Sequence, residues 1–248
     1  MAIRKRTRLI LVVAVVVVLL GAVAVFLGPQ WYAASQGPAP APLSLSSPST
    51  TVGSPTAPGT SAAPSAATTA GVANPADAGQ WKVGTGSQAG YRIDEQLNGA
   101  KNTVVGRTGK VSGTATVAGG QLTQAQIDVD VASIMTDNGT RDNYFRGSVM
   151  KTDSHPTASF VLSAPVGLPG LSATPVSLSA SGSLELAGQK HEVVAKLQVA
   201  RSDAQVSISG TIDLVLADFS IQPPNLGFVK VANTGTIEFL LRLDHLRP

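Results

Sequence analysis

From Trp81 onward, apolar side chains recur at every second position in run after run, and the runs are separated by Gly, Pro, Asn or Asp. A repeat of two belongs to strands with one buried and one wet face, whereas an amphipathic helix repeats every three or four residues. Ala125, Ile127, Val129 and Val131 alternate with Gln126, Asp128 and Asp130. Leu178, Ala180, Gly182, Leu184 and Leu186 line one face of the next long run, and after a turn at Gly188-Gln189 the odd series Val193, Ala195, Leu197 and Val199 takes over, which predicts a hairpin. Val206, Ile208, Gly210, Ile212, Leu214 and Leu216 form a further strand, and Ile237, Phe239, Leu241 and Leu243 form the last. Tyr91, Ile93 and Leu97 open the series, and a Gly-punctuated strand is expected from Val104 to Val117. Seven or eight such strands with short connections predict an all-β antiparallel domain, either an up-and-down barrel or a sandwich, and speak against a parallel α/β fold. One short helix is expected over Thr140 to Arg146, with Thr140 as cap and Asp142 in the first turn, where a carboxylate favours the helix dipole.

The first 79 residues follow another logic. Leu9 to Leu27 is uncharged and rich in Val and Leu, and as a helix these 19 residues reach ~28 Å, close to the hydrocarbon thickness of a bilayer. Arg4, Lys5, Arg6 and Arg8 precede it and favour a cytoplasmic N-terminus, while Trp31 and Tyr32 follow it and suit the opposite interface. A single-pass membrane anchor is expected, with the rest of the chain outside the cytoplasm. The rival is a cleavable signal peptide ending near Ala22-Val23-Ala24, which exports the same residues and makes the product secreted. Beyond the anchor, prolines at 38, 40, 42, 48, 55, 58, 64 and 75 stand among Ser, Thr, Ala and Gly with almost no large apolar side chain, the composition of a disordered spacer. The expected organisation is thus a basic tail over 1–8, a transmembrane helix over 9–27, a linker over 28–79 and one domain over 80–248.

Charge and chemistry then narrow the function. The net charge of +3 is misleading: four of the 18 basic residues sit before the apolar run, Asp77 is one of the 15 acidic ones, and 14 of each sign remain from residue 80 onward. A neutral domain lacks the cationic surface that dominates phosphate binding, so no nucleic-acid partner is expected. The absence of cysteine removes disulfides, thiolate metal sites and thiol catalysis. His155, His191 and His245 are scattered without metal-ligand spacing, no GxSxG surrounds a serine, and Gly84 to Gly90 lacks both the spacing and the following helix of a phosphate loop. No catalytic residue, metal or cofactor is therefore expected. Arg141-Asp142 is the most pointed charged pair, and it either fixes a helix and loop over a barrel end or holds a polar headgroup. Asn138-Gly139-Thr140 matches a glycosylation sequon by pattern alone.

Several of these residues together resemble a known family. Ser133, Thr136, Arg141, Asp142, Pro156 and Phe160 stand in the order S-x-x-T, then R-D, then a short insertion, then P-x-x-x-F. With the Trp81 start, Gly109 to Val117, Gly182 to Gly188 and the closing Phe228 to Leu243, nearly all of residues 80–248 resemble the bacterial YceI-like family. That resemblance implies an eight-stranded lipocalin-like barrel, an apolar cavity, a polyisoprenoid or related long-chain lipid as partner, and a secreted or periplasmic location. The family often carries an aromatic pair in the loop after Arg-Asp, where this chain has Ser148-Val149-Met150-Lys151.

With this frame, the inward series assigns a cavity wall to Tyr91, Ile93, Ile127, Val129, Phe160, Leu184, Leu186, Ile212 and Phe239. Arg141, Asp142, Phe145, Phe219 and Phe228 are expected at its mouth. The expected function is a membrane-tethered, extracytoplasmic lipid binder without enzymatic activity. The alternative is a filled β-sandwich displayed at the surface that contacts protein or wall polymer.

Overall fold

The computed structural model describes residues 39–45 and 75–246, excepting positions 98, 203, 204, 226 and 228. The Leu9 to Leu27 run lies outside the described residues, among which no helix is long and apolar enough to cross a membrane.

Among the described residues, eleven strands form one antiparallel sheet: β1 (Gly79–Val83), β2 (Gln88–Leu97), β3 (Ala100–Thr108), β4 (Val111–Ala118), β5 (Gln121–Asp130), β6 (Thr157–Leu162), β7 (Val166–Gly167), β8 (Val176–Leu186), β9 (Gln189–Ser202), β10 (Gln205–Val215) and β11 (Val229–Leu246). Eight of them run in the order β1-β4-β5-β6-β8-β9-β10-β11, and β1 pairs β11 from Gln80↔Leu246 to Val83↔Leu243, which closes the ring. Closure removes the free edges that a sandwich leaves, so the domain is a barrel. The long β11 serves two neighbours: its C-terminal end pairs β1, and its N-terminal part pairs β2, which carries β3 as a hairpin.

The expected hairpin joins β8 to β9 with Leu186 opposite Gln189, and the two residues between them, Ala187 and Gly188, both take positive φ (51° and 78°). That conformation matches the right-handed twist of the flanking strands. The strand expected from Val104 to Val117 is two strands instead. Thr108 Oγ1 accepts the amide of Lys110 at 2.9 Å and turns the chain at Gly109. The turn changes the inward parity, from Val104, Gly106 and Thr108 to Ala115 and Val117.

The helix also begins earlier than expected. α1 spans Gly139–Tyr144, and Asn138 is its cap: Oδ1 accepts from the amides of Thr140 (2.9 Å) and Arg141 (3.2 Å). Thr140 lies inside the first turn. Beyond Tyr144 the chain widens into one π turn over Phe145–Val149, closed by Met150 N donating to Phe145 O at 2.8 Å. This lobe is fastened to the β3 edge by a two-way bridge between Arg107 and Met135.

Two apolar clusters occupy the barrel. One gathers Trp81, Ala115, Val117, Val199, Val206, Leu241 and Leu243 at the β1 end. The other includes Val131, Ile134, Met150, Leu184, Leu214, Leu216 and Phe219 at the helical end. Trp81, 2% exposed, anchors the first: its indole N–H donates to Asp77 O at 3.0 Å, and the His245 ring meets it edge-on at 4.7 Å. Asp77 is held in turn by Arg201. Truncating Trp81 to Ala removes the largest side chain of that end and is expected to cost about 3–5 kcal/mol of stability in urea unfolding.

Candidate ligand-binding cavity

Period-two strands bring one residue in two to the barrel axis, and here many of those residues are small. Ala89, Ala115, Ala125, Ala158, Ala180 and Ala195 all face the lumen. The larger rings are laid flat on the wall by glycines. Gly210 pairs with Phe239 across β10 and β11, and a Cβ at Gly210 would come within 2.5 Å of Phe239 Cζ. Gly106 pairs with Tyr91, and its Cβ would lie 2.5 Å from Tyr91 Cε1. A Cβ at Gly182 would run into the Phe160 ring. Glycine within a strand is where another group approaches closely, and an aromatic ring over it restores the buried area that a missing side chain forfeits. The consequence is a lumen that its own side chains leave open: a cavity of about 870 Å³ between the two clusters. This is toward the upper end of the ~300–1,000 Å³ of small-molecule sites.

The polar side chains of the wall gather at the helical end. Glu95 points inward from β2 and is almost fully buried, accepting from Asn102 Nδ2 at 2.8 Å and from Arg141 Nη2 at 3.4 Å. Arg141 also reaches Asp137 at 2.5 Å. Beside them the Tyr91 ring stacks on Phe145, centroids 5.0 Å apart and 18° from parallel. Burial raises the Tyr91 phenol well above its ordinary pKa; the Arg141 cation opposes this, and the carboxylates of Asp142, Glu95 and Asp137 add to it. Tyr91 is therefore a neutral phenol throughout the physiological range, and Glu95 and Arg141 neutralise one another. The cavity presents hydrogen-bonding groups at this end without a net charge from the pair.

All nine residues expected in the wall, Tyr91, Ile93, Ile127, Val129, Phe160, Leu184, Leu186, Ile212 and Phe239, line the cavity. Arg141 and Phe145, expected at the mouth, line it at the helical end. Asp142 does not. Its buried carboxylate accepts from Thr136 N (2.9 Å) and Thr136 Oγ1 (2.7 Å), and so pins the loop before α1. Phe219 is not at an opening either. The 3₁₀ turn Leu216–Phe219 folds it into the core, 2% exposed, where its ring meets His191 edge-on at 5.1 Å. Phe228 lies outside the described residues.

Other lining residues escaped the pattern. Tyr144, Val149 and Met150 reach the cavity from α1 and the π turn, and Ile221, Pro223 and Pro224 reach it from the loop before β11. For Tyr144 the available signal was the aromatic pair Tyr144-Phe145, one residue beyond Arg141-Asp142. The Ser133 and Thr136 positions are structural: Ser133 Oγ donates to Asp130 O at 2.7 Å and pairs with Thr108 Oγ1 at 2.6 Å, while Thr136 holds Asp142. Among the described residues no group of three or more His, Asp or Glu is placed to hold a metal ion.

The site is thus an apolar cavity inside a closed antiparallel barrel of eight strands. Residues 81–243 match the YceI-like domain, and the chain belongs to the YceI-like family. No curated protein matches it. Among solved structures, a polyisoprenoid-binding domain from Saccharophagus degradans implicated in plant cell wall breakdown is 19% identical, with a TM-score of 0.55 over 67% of this chain and 98% of that one. BcnA of Burkholderia cenocepacia is 20% identical, with a TM-score of 0.49 over 61% and 95%. A Campylobacter jejuni YceI protein is 15% identical, with a TM-score of 0.42 over 56% and 82%. The first of these likenesses supports the barrel fold.

The raised Tyr91 pKa fixes a pH dependence. Below about pH 10 the phenol is neutral in folded and unfolded chains alike; above it the unfolded chain releases the proton while the folded one retains it, so stability falls as pH rises. Tyr91→Phe is expected to remove this part of the alkaline loss, read as a fall of the wild-type urea midpoint relative to the variant's from about pH 8 to pH 11.

Proposed function

We propose that this protein is a membrane-tethered, extracytoplasmic carrier that encloses a long-chain polyisoprenoid lipid in its barrel. The observation that carries the proposal is the open apolar lumen of about 870 Å³, held free of its own side chains by the Gly–aromatic pairs. Transfer of a CH₂ from water is worth ~0.8 kcal/mol, so enclosing some twenty carbons contributes on the order of 15 kcal/mol before the costs of ordering and desolvation. The polyisoprenoid-binding domain from Saccharophagus degradans supports the choice of chain. Arg141 is already shared between Glu95 at 3.4 Å and Asp137 at 2.5 Å, which favours an uncharged polar head, one that accepts or donates hydrogen bonds, over a phosphate.

Binding rather than catalysis is proposed because the acid–base groups at the cavity are committed: Glu95 to Asn102 and Arg141, and Tyr91 to its neutral form. The location is proposed from the N-terminal sequence. The cationic Arg4, Lys5, Arg6 and Arg8, the apolar Leu9 to Leu27 and the interfacial Trp31 and Tyr32 support a single-pass anchor with its N-terminus in the cytoplasm. An anchored carrier stays beside the bilayer that supplies its ligand.

The test is to purify the full chain from its native membranes, extract it with organic solvent and identify the extract by mass spectrometry. A prenyl chain in near-stoichiometric amount is expected; unselective phospholipid, or nothing, overturns the proposal. The double variant Ile127→Phe with Leu184→Phe adds bulk to the lumen from β5 and β8, on either side of Phe160. It is expected to lose at least about tenfold of the bound lipid while its stability falls by only ~1–3 kcal/mol, the usual cost of overpacking. Retention of lipid by the folded variant would place the chain elsewhere on the protein.

A further inference from the structure

Residues 39–45, Ala-Pro-Ala-Pro-Leu-Ser-Leu, belong by composition to the linker, yet they lie against the barrel. Arg92 Nη2 donates to Pro40 O at 2.7 Å, and Arg107 Nη2 donates to Ala41 O at 2.5 Å. Both arginines stand on the outer face, because Tyr91 and Ile93 flank Arg92 and point inward, as do Gly106 and Thr108 around Arg107. Between them is Glu238 of β11, also on the outer face, since Ile237 and Phe239 line the cavity.

A carboxylate on the wet side of a barrel strand is ordinarily hydrated, but Glu238 is 3% exposed. Its two oxygens are shared out: Oε1 to Arg92 Nε, and Oε2 to Arg107 Nη2 at 3.2 Å. The strand between them makes this reach feasible. Gly90 is the register partner of both Glu238 and Arg107, and a Cβ there would collide with the Gly106 carbonyl oxygen, so no side chain stands between the two. Glu238 thereby fixes two guanidiniums, each of which also donates from Nη2 to one of two successive peptide carbonyls, while Arg107 Nε is buried without a partner.

The segment is suited to that arrangement. Pro40 and Pro42 carry no N–H and hold φ near the extended polyproline value, so the carbonyls of this stretch face outward as free acceptors. Leu43 and Leu45 are half-buried while Ser44 between them is exposed. None of the seven residues lines the cavity, so the segment is a strap on the outside and not a plug.

We propose that Arg92, Glu238 and Arg107 form a clamp on the outer face of β11, β2 and β3 for an extended proline-containing peptide, occupied by residues 39–45 of the same chain. On the membrane-anchor reading proposed above, the clamp sets the stand-off of the barrel. Residues 28–38 alone would span the interval from bilayer to clamp, at most ~34 Å in polyproline geometry, against ~160 Å for all of residues 28–79.

The chain has no cysteine, so Ser44→Cys accepts a single spin label at an exposed position of the strap. With the full-length, isotope-labelled chain in detergent micelles, the amides of Arg92, Arg107 and Glu238 are expected to lose most of their intensity, and those of the distant β8–β9 turn to keep theirs. Pro40→Gly with Pro42→Gly, which leaves the barrel untouched, is expected to restore most of that intensity, as is Arg107→Ala if it folds. Even broadening over the whole barrel, or none, overturns the clamp. So does broadening equally strong when spin-labelled unlabelled-isotope chains are mixed with isotope-labelled chains lacking the spin label, since the strap would then come from another molecule. The readout depends on neither lipid nor membrane insertion; failure of the clamp and failure of the carrier proposal are thus separate results.

Discussion

The structure depends on three glycines that yield their space to aromatic rings. In a barrel of this strand number the inward side chains ordinarily suffice to fill the interior. Placing Gly106, Gly182 and Gly210 beneath Tyr91, Phe160 and Phe239 sends the rings along the wall, and the alanines of the other strands complete a smooth lining. Each ring still removes its apolar face from water on one side. The buried area that stabilises the wall is thus obtained without consuming the lumen, and this separates a container from a solid core.

The two ends of the barrel solve different problems. At the β1 end Trp81 fills the closure, with its N–H satisfied by Asp77 O and Asp77 tied to Arg201, so the one polar atom of a large plug has a partner in a dry place. At the helical end the chain leaves regular structure: Asn138 starts a six-residue helix, a π turn follows, and the bridge from Met135 to Arg107 holds the lobe to the sheet. Deviations of this sort cluster where a chain must present side chains that a regular element would misdirect. Here they deliver Arg141, Tyr144, Phe145 and Val149 to the cavity.

The wall was legible in the sequence because a strand's period of two is strict: once Leu184 faces inward, Gly182 and Leu186 must do so too. Arg141 was legible through the motif order. What failed to show depends on where one residue bends the chain. Thr108 ends a run whose alternation looks continuous, and only the switch from even to odd inward positions betrays the turn. Phe219 looks like a residue of the mouth because it follows a strand, but the left-handed Ser220 (φ 55°) closes a turn that carries it into the core. Asp142 has the composition of a headgroup ligand, and its service to Thr136 is a contact between side chains that no periodicity encodes. The strap is the extreme case. Residues 39–45 resemble the rest of the Pro/Ser/Thr/Ala-rich stretch, and what distinguishes them is the pair of donors on strands far away in sequence.

An open lumen also changes what counts as the core. The inner faces of Ile127, Val129, Leu184, Ile212 and Phe239 have protein neighbours within the wall and face the lumen across it, so part of their dispersion energy is left for whatever occupies the lumen. A chain-like ligand supplies those contacts and binds only the folded state, which makes the bound lipid part of the protein's stability: about 2.7 kcal/mol at a free concentration a hundred times the dissociation constant. Long hydrocarbon chains have almost no free concentration in water, so that linkage operates only where a bilayer keeps the supply constant. On the carrier reading proposed above, a barrel held beside a membrane would be filled and stiff, and one carried away from it would lose the partner that completes its interior; an open lumen and a tether of limited reach would then answer the same physical requirement.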